Sequence, residues 1–173
     1  MSKRHDELVA LAVRWLRNTN KCALVAAERT EWRSGENPDA IGWMPDGFSI
    51  LVECKVSRED FLVDQRKPHR IVGGMGRQRW YLTDLGVLRP DMLPDGWGLV
   101  ERHANGRLYR RVHAANRDAA AAMRVEVPLL VAITRRAYSE SVFRGIAARP
   151  DDADPEALPP QERSSPTSDK SKE

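Results

Sequence analysis

Two acidic residues and a lysine carry the chemistry this chain could perform. Pro38-Asp39 is followed, after thirteen residues, by Glu53-Cys54-Lys55. The acidic-x-Lys triplet alone says little. With 25 acidic residues and six lysines in 173, about one such triplet arises by chance. Placement gives it meaning. Two carboxylates held side by side repel unless a cation lies between them. A hard, oxygen-preferring divalent ion suits such a pair and keeps coordination positions for water and phosphate oxygens. An ammonium group alongside would orient an attacking water or hold a phosphate charge. That chemistry is hydrolysis of a phosphate ester.

The elements around these residues favour such a meeting. Phe48 to Val56 (FSILVECKV) is the strongest strand pattern in the chain. Side chains alternate along a strand, so Phe48, Ile50, Val52, Cys54 and Val56 form an unbroken apolar face. Ser49, Leu51, Glu53 and Lys55 share the other. Two charged groups at the end of a core strand need a reason, because unpaired buried charge is costly. Asp39 opens the preceding strand segment, Asp39 to Met44, and Pro45-Asp46-Gly47 is a tight-turn signature. Antiparallel pairing through that turn lays Asp39 beside Glu53. Cys54 faces the apolar side and reads as core.

The remaining pattern is helix, three strands, helix, two or three strands, helices. His5 to about Asn18 is amphipathic, with Leu8, Leu11, Ala12, Trp15 and Leu16 at three- and four-residue steps. Cys22 to Ala27 is a short apolar strand. Ser57 to about Gln65 is a helix start, with Ser57 as N-cap and Asp60 three residues on. Strands are expected at Arg79–Leu82, Trp97–Glu101 and Arg107–Val112. Helices are expected from Ala114 to about Met123 and from Pro128 to about Ile146, with Pro128 in a first turn. Gly73-Gly74-Met75-Gly76 reads as a mobile loop near the substrate. It is not a phosphate-binding P-loop, since no GKS or GKT follows.

Pro38-Asp39 followed by Glu53-x-Lys55 on an apolar strand resembles the active-site signature of the PD-(D/E)XK nuclease superfamily. The longer string NPDAIGW…SILVECKVSREDFLVDQRKP is similar to small bacterial and phage proteins of that superfamily, akin to DNA-repair and junction-resolving nucleases. The resemblance covers about Arg4 to Glu101. It implies an α/β fold, the restriction-endonuclease-like αβββαβ core, whose mixed central sheet is flanked by helices. It implies a Mg²⁺- (or Mn²⁺-) dependent DNA endonuclease, and the lack of a membrane span, a signal core and a disulfide framework in the sequence leads us to expect it in the cytoplasm. Asp39, Glu53 and the Cys54 backbone carbonyl would be the metal ligands, and Lys55 would assist the nucleophilic water. Some branches add a glutamate from the first helix or first strand, for which Glu28 is the better candidate and Glu7 the second. The alternative is a nucleic-acid-binding or regulatory module that keeps the fold and has lost cleavage.

DNA is the expected partner, a homodimer is among the options, and neither a membrane nor a small-molecule cofactor is expected. Arg58, Arg66, Lys67, Arg70, Arg77 and Gln78 follow the motif and are candidates for tracking a nucleic-acid strand. Trp32 and Trp43 are expected to flank the site. His5 and His69 read as surface residues.

Composition narrows the class further. Apolar residues make up 41% and charged residues 31%, a globular balance. No window approaches the ~18 uninterrupted apolar residues of a membrane span, and charge interrupts any signal-peptide core near the N-terminus. Two cysteines without a CxxC pattern argue against a disulfide framework and a zinc knuckle. Residues 150–173 are acidic and proline-rich and are expected to be a disordered tail on a domain spanning 1–149. Removing the tail's net −4 leaves about +7 on that domain.

Overall fold

The computed structural model describes residues 2–27, 36–67, 70 and 73–147, with only the helical backbone for 140–147. Glu28, Glu31, Trp32, His69 and the acidic tail lie outside the described residues. The chain divides into two compact units, Met1–Arg135 and a second from Arg136. The described part of the second unit is helical.

The first unit is a mixed α/β layer structure built on one six-stranded sheet. Its strands are β1 (Leu24–Ala27), β2 (Ala40–Trp43), β3 (Ser49–Lys55), β4 (Gln78–Asp84), β5 (Trp97–Arg102) and β6 (Leu108–Val112). They lie side by side in chain order. β1, β2 and β3 form an antiparallel meander. β3, β4 and β5 run parallel, and β6 returns antiparallel to β5.

The turn between β2 and β3 forms as its residues demand. The Phe48 N–H donates to Asp46 Oδ1 at 2.9 Å, and Gly47 takes φ +81°. Parallel strands need crossovers. The first contains α2 (Arg58–Asp64). Its N-cap Ser57 accepts from the Asp60 N–H at 3.2 Å, while Asp60 reaches back to the Val56 N–H at 3.4 Å. The second crossover contains a short 3₁₀ turn, Pro90–Met92.

α1 (Lys3–Arg14) starts at N-cap Ser2 and runs into one wide π-type turn, Trp15–Thr19. Its apolar stripe, Leu8, Ala12, Trp15 and Leu16, packs with Ile50, Val52, Cys54, Trp80, Leu82 and Val100 on one sheet face. The opposite face buries Ile41, Leu51, Tyr81, Trp97 and Leu99 under Phe61 of α2, Met75 and Leu129. The alternation read along FSILVECKV therefore holds, with every residue of β3 buried.

One expectation fails. The two helices expected from Ala114 and Pro128 are a single helix, α3 (Ala119–Ala147), with Pro128 in its interior. Its start is set nine residues earlier than Pro128, where Asp118 Oδ1 accepts from the Ala120 N–H at 2.8 Å. The proline interrupts one hydrogen bond of an already nucleated helix.

Candidate active site

The site sits at the carboxyl end of β3. The β2–β3 register pairs Ala40 with Val52, so Asp39 stands at the next step, level with Glu53. Asp39 Oδ2 accepts from the Cys54 N–H at 2.7 Å and lies 3.4 Å from His5 Nε2 on α1. His5 is therefore no bare surface residue, since its side chain is only 14% exposed against the carboxylate.

Glu53 and Lys55 are almost wholly buried. Lys55 Nζ bridges Glu53 Oε2 at 3.3 Å and Asp64 Oδ1 at 3.4 Å. Arg70 extends the network, with nitrogens 2.6 Å from Glu53 Oε1, 2.8 Å from Asp64 Oδ2 and 2.7 Å from Glu36 Oε1. Tyr81 donates its hydroxyl to Asp64 Oδ2 at 3.3 Å. Lys67 adds an outer contact to Asp64 at 2.8 Å. Glu36 Oε2 accepts from the Met75 N–H at 2.6 Å, which ties the cluster to the glycine loop. Despite its closeness to Arg70, Glu53 Oε1 accepts no hydrogen bond among the described residues.

The electrostatics follow from this packing. Burial, and then the nearby Asp39 carboxylate, push the Glu53 carboxyl up to about 7, against the pull of Arg70 and Lys55. Burial opposes the Lys55 charge, but Glu53, Asp64, Asp39 and Asp60 outweigh it and raise the ammonium pKa. Burial likewise opposes ionisation of Asp64, yet Arg70, Lys55 and Lys67 hold it well below the usual carboxylate range. Lys55 is thus a fixed positive charge, and Glu53 is the group poised near neutrality.

Asp39, Glu53 and the Cys54 carbonyl are all hard oxygen donors, which suits Mg²⁺ or Mn²⁺. Glu53 Oε1 makes no hydrogen bond, but the Arg70 guanidinium stands 2.6 Å from it, so an ion bound here would share this carboxylate with Arg70. Among the described residues no group of three or more His, Cys, Asp and Glu side chains is arranged to hold a metal.

The other candidates fall elsewhere. Glu7 is exposed and paired with Arg4 at 3.0 Å and Arg102 at 3.7 Å. Arg70, expected to track a nucleic-acid strand, is buried because three carboxylates draw it inward. Arg77 lies with its guanidinium 4.6 Å from the Phe48 ring centroid. Gln78 bonds Asn116 at 2.9 Å, at the far end of β4 from Thr83, the partner of Lys55. Arg58, Arg66 and Lys67 are exposed around α2. Trp43 does not flank the site. It pairs with Ser49 at the opposite end of the hairpin, and its Nε1 donates to Glu126 at 2.8 Å.

The glycine loop is braced rather than loose. Arg117 donates to the carbonyls of Gly73, Gly74, Met75 and Gly76, and Arg79 to those of Gly73 and Met75. Glu126 Oε1 accepts from the Gly76 N–H at 2.7 Å. Gly76 holds φ +86°, and a Cβ there would stand 2.7 Å from Leu51 Cβ. Two open cavities, of about 410 and 490 Å³, lie elsewhere, and neither is lined by Asp39, Glu53 or Lys55.

No family model matches the chain, and no curated protein matches it. Among solved structures it is similar to a protein of unknown function from Silicibacter pomeroyi, at TM-score 0.58 and 19% identity. That match covers 88% of this chain and 99% of the other. It bears on the fold alone, a mixed sheet flanked by helices. No helix among the described residues is long and apolar enough to cross a membrane.

Proposed function

We propose that the chain is a metal-dependent DNA endonuclease of the PD-(D/E)XK type on a restriction-endonuclease-like core. The observation that carries this reading is Asp39, one step beyond the Ala40–Val52 pair and close enough to act on the Glu53 carboxyl, beside a charged, buried Lys55 at the end of β3. Helix, antiparallel meander, crossover helix and parallel fourth strand agree with an αβββαβ order.

On this reading Asp39, Glu53 and the Cys54 carbonyl hold a Mg²⁺ or Mn²⁺ ion. Such an ion, when bound, polarises phosphoryl oxygens and lowers the pKa of a bound water. The chain's own residues do the rest. Lys55, kept protonated by four nearby carboxylates, places positive charge where the phosphate's negative charge grows. Asp64 aims that ammonium from behind. His5 and the Cys54 N–H orient the Asp39 carboxylate.

A second reading has its own support. The 2.6 Å approach of Arg70 to Glu53 already supplies that carboxylate with a cation, as a purely structural ion network would. The same fold would then serve as a non-cleaving nucleic-acid-binding module.

Incubation with plasmid, single-stranded and branched DNA separates the two readings. The nuclease reading expects cleavage that needs Mg²⁺ or Mn²⁺, stops with EDTA and is lost in Lys55→Ala. Salt-sensitive binding without cleavage on any substrate overturns it in favour of the second.

A further inference from the structure

Residues 8–27 and 103–117 contain no aspartate or glutamate, in a chain with 25 acidic residues among 173. The fold brings these two stretches together. The second half of α1 and the start of β6 enclose an open groove of about 410 Å³, lined by Arg14, Trp15, Asn18, Arg107 and Tyr109 among others. Outside the lining itself, Arg110 lies 5.4 Å from the Trp15 ring centroid and donates to Asn20 Oδ1 at 2.8 Å. Tyr109 is 44% exposed, and its ring rests on His103 with centroids 4.4 Å apart.

Among the described residues, the charge here meets no carboxylate. Arg4, Arg70, Arg89 and Arg102 each sit against a carboxylate. Among the described residues no carboxylate pairs with Arg14, Arg17, Arg107 or Arg110. We propose that the α1–β6 groove binds the sugar–phosphate backbone of a nucleic-acid strand. The proposal takes its ligand class from the nuclease reading and adds a place for the strand away from the reacting site.

Three features select this ligand. Guanidinium forks match phosphate oxygens. Asn18 and Thr19 add neutral donors that suit phosphate or sugar oxygens. The exposed Tyr109 ring offers a stacking surface, which an acidic polypeptide would not use. α1 also links the groove to the site. His5 near its start touches Asp39, and Arg14 lies nine residues on, about 14 Å along the axis.

The test uses the full chain, fluorescently labelled duplex and single-stranded DNA, and anisotropy titrations across a salt series. Arg14→Gln/Arg107→Gln is expected to bind about tenfold more weakly at moderate salt, with the log–log salt slope reduced by about two. Arg89→Gln, an exposed arginine paired with Asp91, is expected to bind as wild type. Circular dichroism of each variant checks that the fold is retained. Unchanged affinity and slope in the double variant overturn the groove while leaving any cleavage activity standing. Conversely, groove-dependent binding by a protein that cleaves nothing supports the groove and overturns the nuclease reading. Polyglutamate bound as tightly as DNA overturns the choice of ligand.

Discussion

Arg70 Nη2 stands 2.6 Å from Glu53 Oε1, while the same guanidinium meets Asp64 at 2.8 Å and Glu36 at 2.7 Å. One cation thereby joins three carboxylates from the loop before β2, from β3 and from α2. Removing one partner of a buried ion network leaves the others uncompensated, which costs more than an exposed pair is worth. Arg70→Gln is therefore expected to destabilise the protein by about 3–5 kcal/mol. Urea unfolding measures it. A loss below about 1 kcal/mol would mean that the network relaxes freely around the gap.

Glu53 gives stability a particular pH dependence. Its carboxyl is raised from 4.5 to about 7, so the folded protein holds this proton more tightly than the unfolded chain. That contribution is fully present below about 4.5 and is lost as pH rises through 7. A shift of this size corresponds to about 3 kcal/mol. Asp64, held low, acts in the opposite sense and only at more acidic pH. With chelator present, the melting temperature should fall between pH 5 and 8, and Glu53→Gln should flatten that slope. A wild-type curve already flat over this range would contradict the burial argument.

Lys55 is expected to act on turnover more than on binding. Lys55→Ala should lower kcat by about 10²-fold or more, with the DNA dissociation constant within a few-fold of wild type. A matching loss in both would place the lysine in strand binding alone.

Gly98 faces the ring of Trp80 across the β4–β5 ladder, where an added Cβ would overlap ring carbons. Gly98→Ala should cost about 1–3 kcal/mol through overpacking. Pairing it with Trp80→Phe, which frees part of that space, should recover some of the loss in a double-mutant cycle.

Much of the positioning was legible in the chain itself. The alternation in FSILVECKV told the core face from the charged face, and Pro45-Asp46-Gly47 fixed the register that sets Asp39 level with Glu53. Ser57 and Asp60 announced the start of α2. Hidden were the residues whose partners lie far away in sequence. Arg70 read as a residue for tracking a nucleic-acid strand and Asp64 carried no signal, because only the crossover from β3 to β4 turns them inward. His5 looked exposed until α1 was laid across the sheet. Glu126 carried no signal at all, as one acid in a helix whose apolar neighbours surround it. Pro128 misled for a local reason: proline suits a first turn and is costly in a helix interior, and here the helix started at Asp118 carries it all the same.

Glu126 also bears on how the molecule comes together during synthesis. Its two oxygens take hydrogen bonds from Trp43 and Ser49 of the β2–β3 hairpin and from Gly76 of the glycine loop. All three leave the ribosome long before their shared acceptor does. Until α3 emerges, the nascent hairpin and the glycine loop lack the latch that joins them, and the carboxylate arrives as a late fastener on a half-assembled sheet.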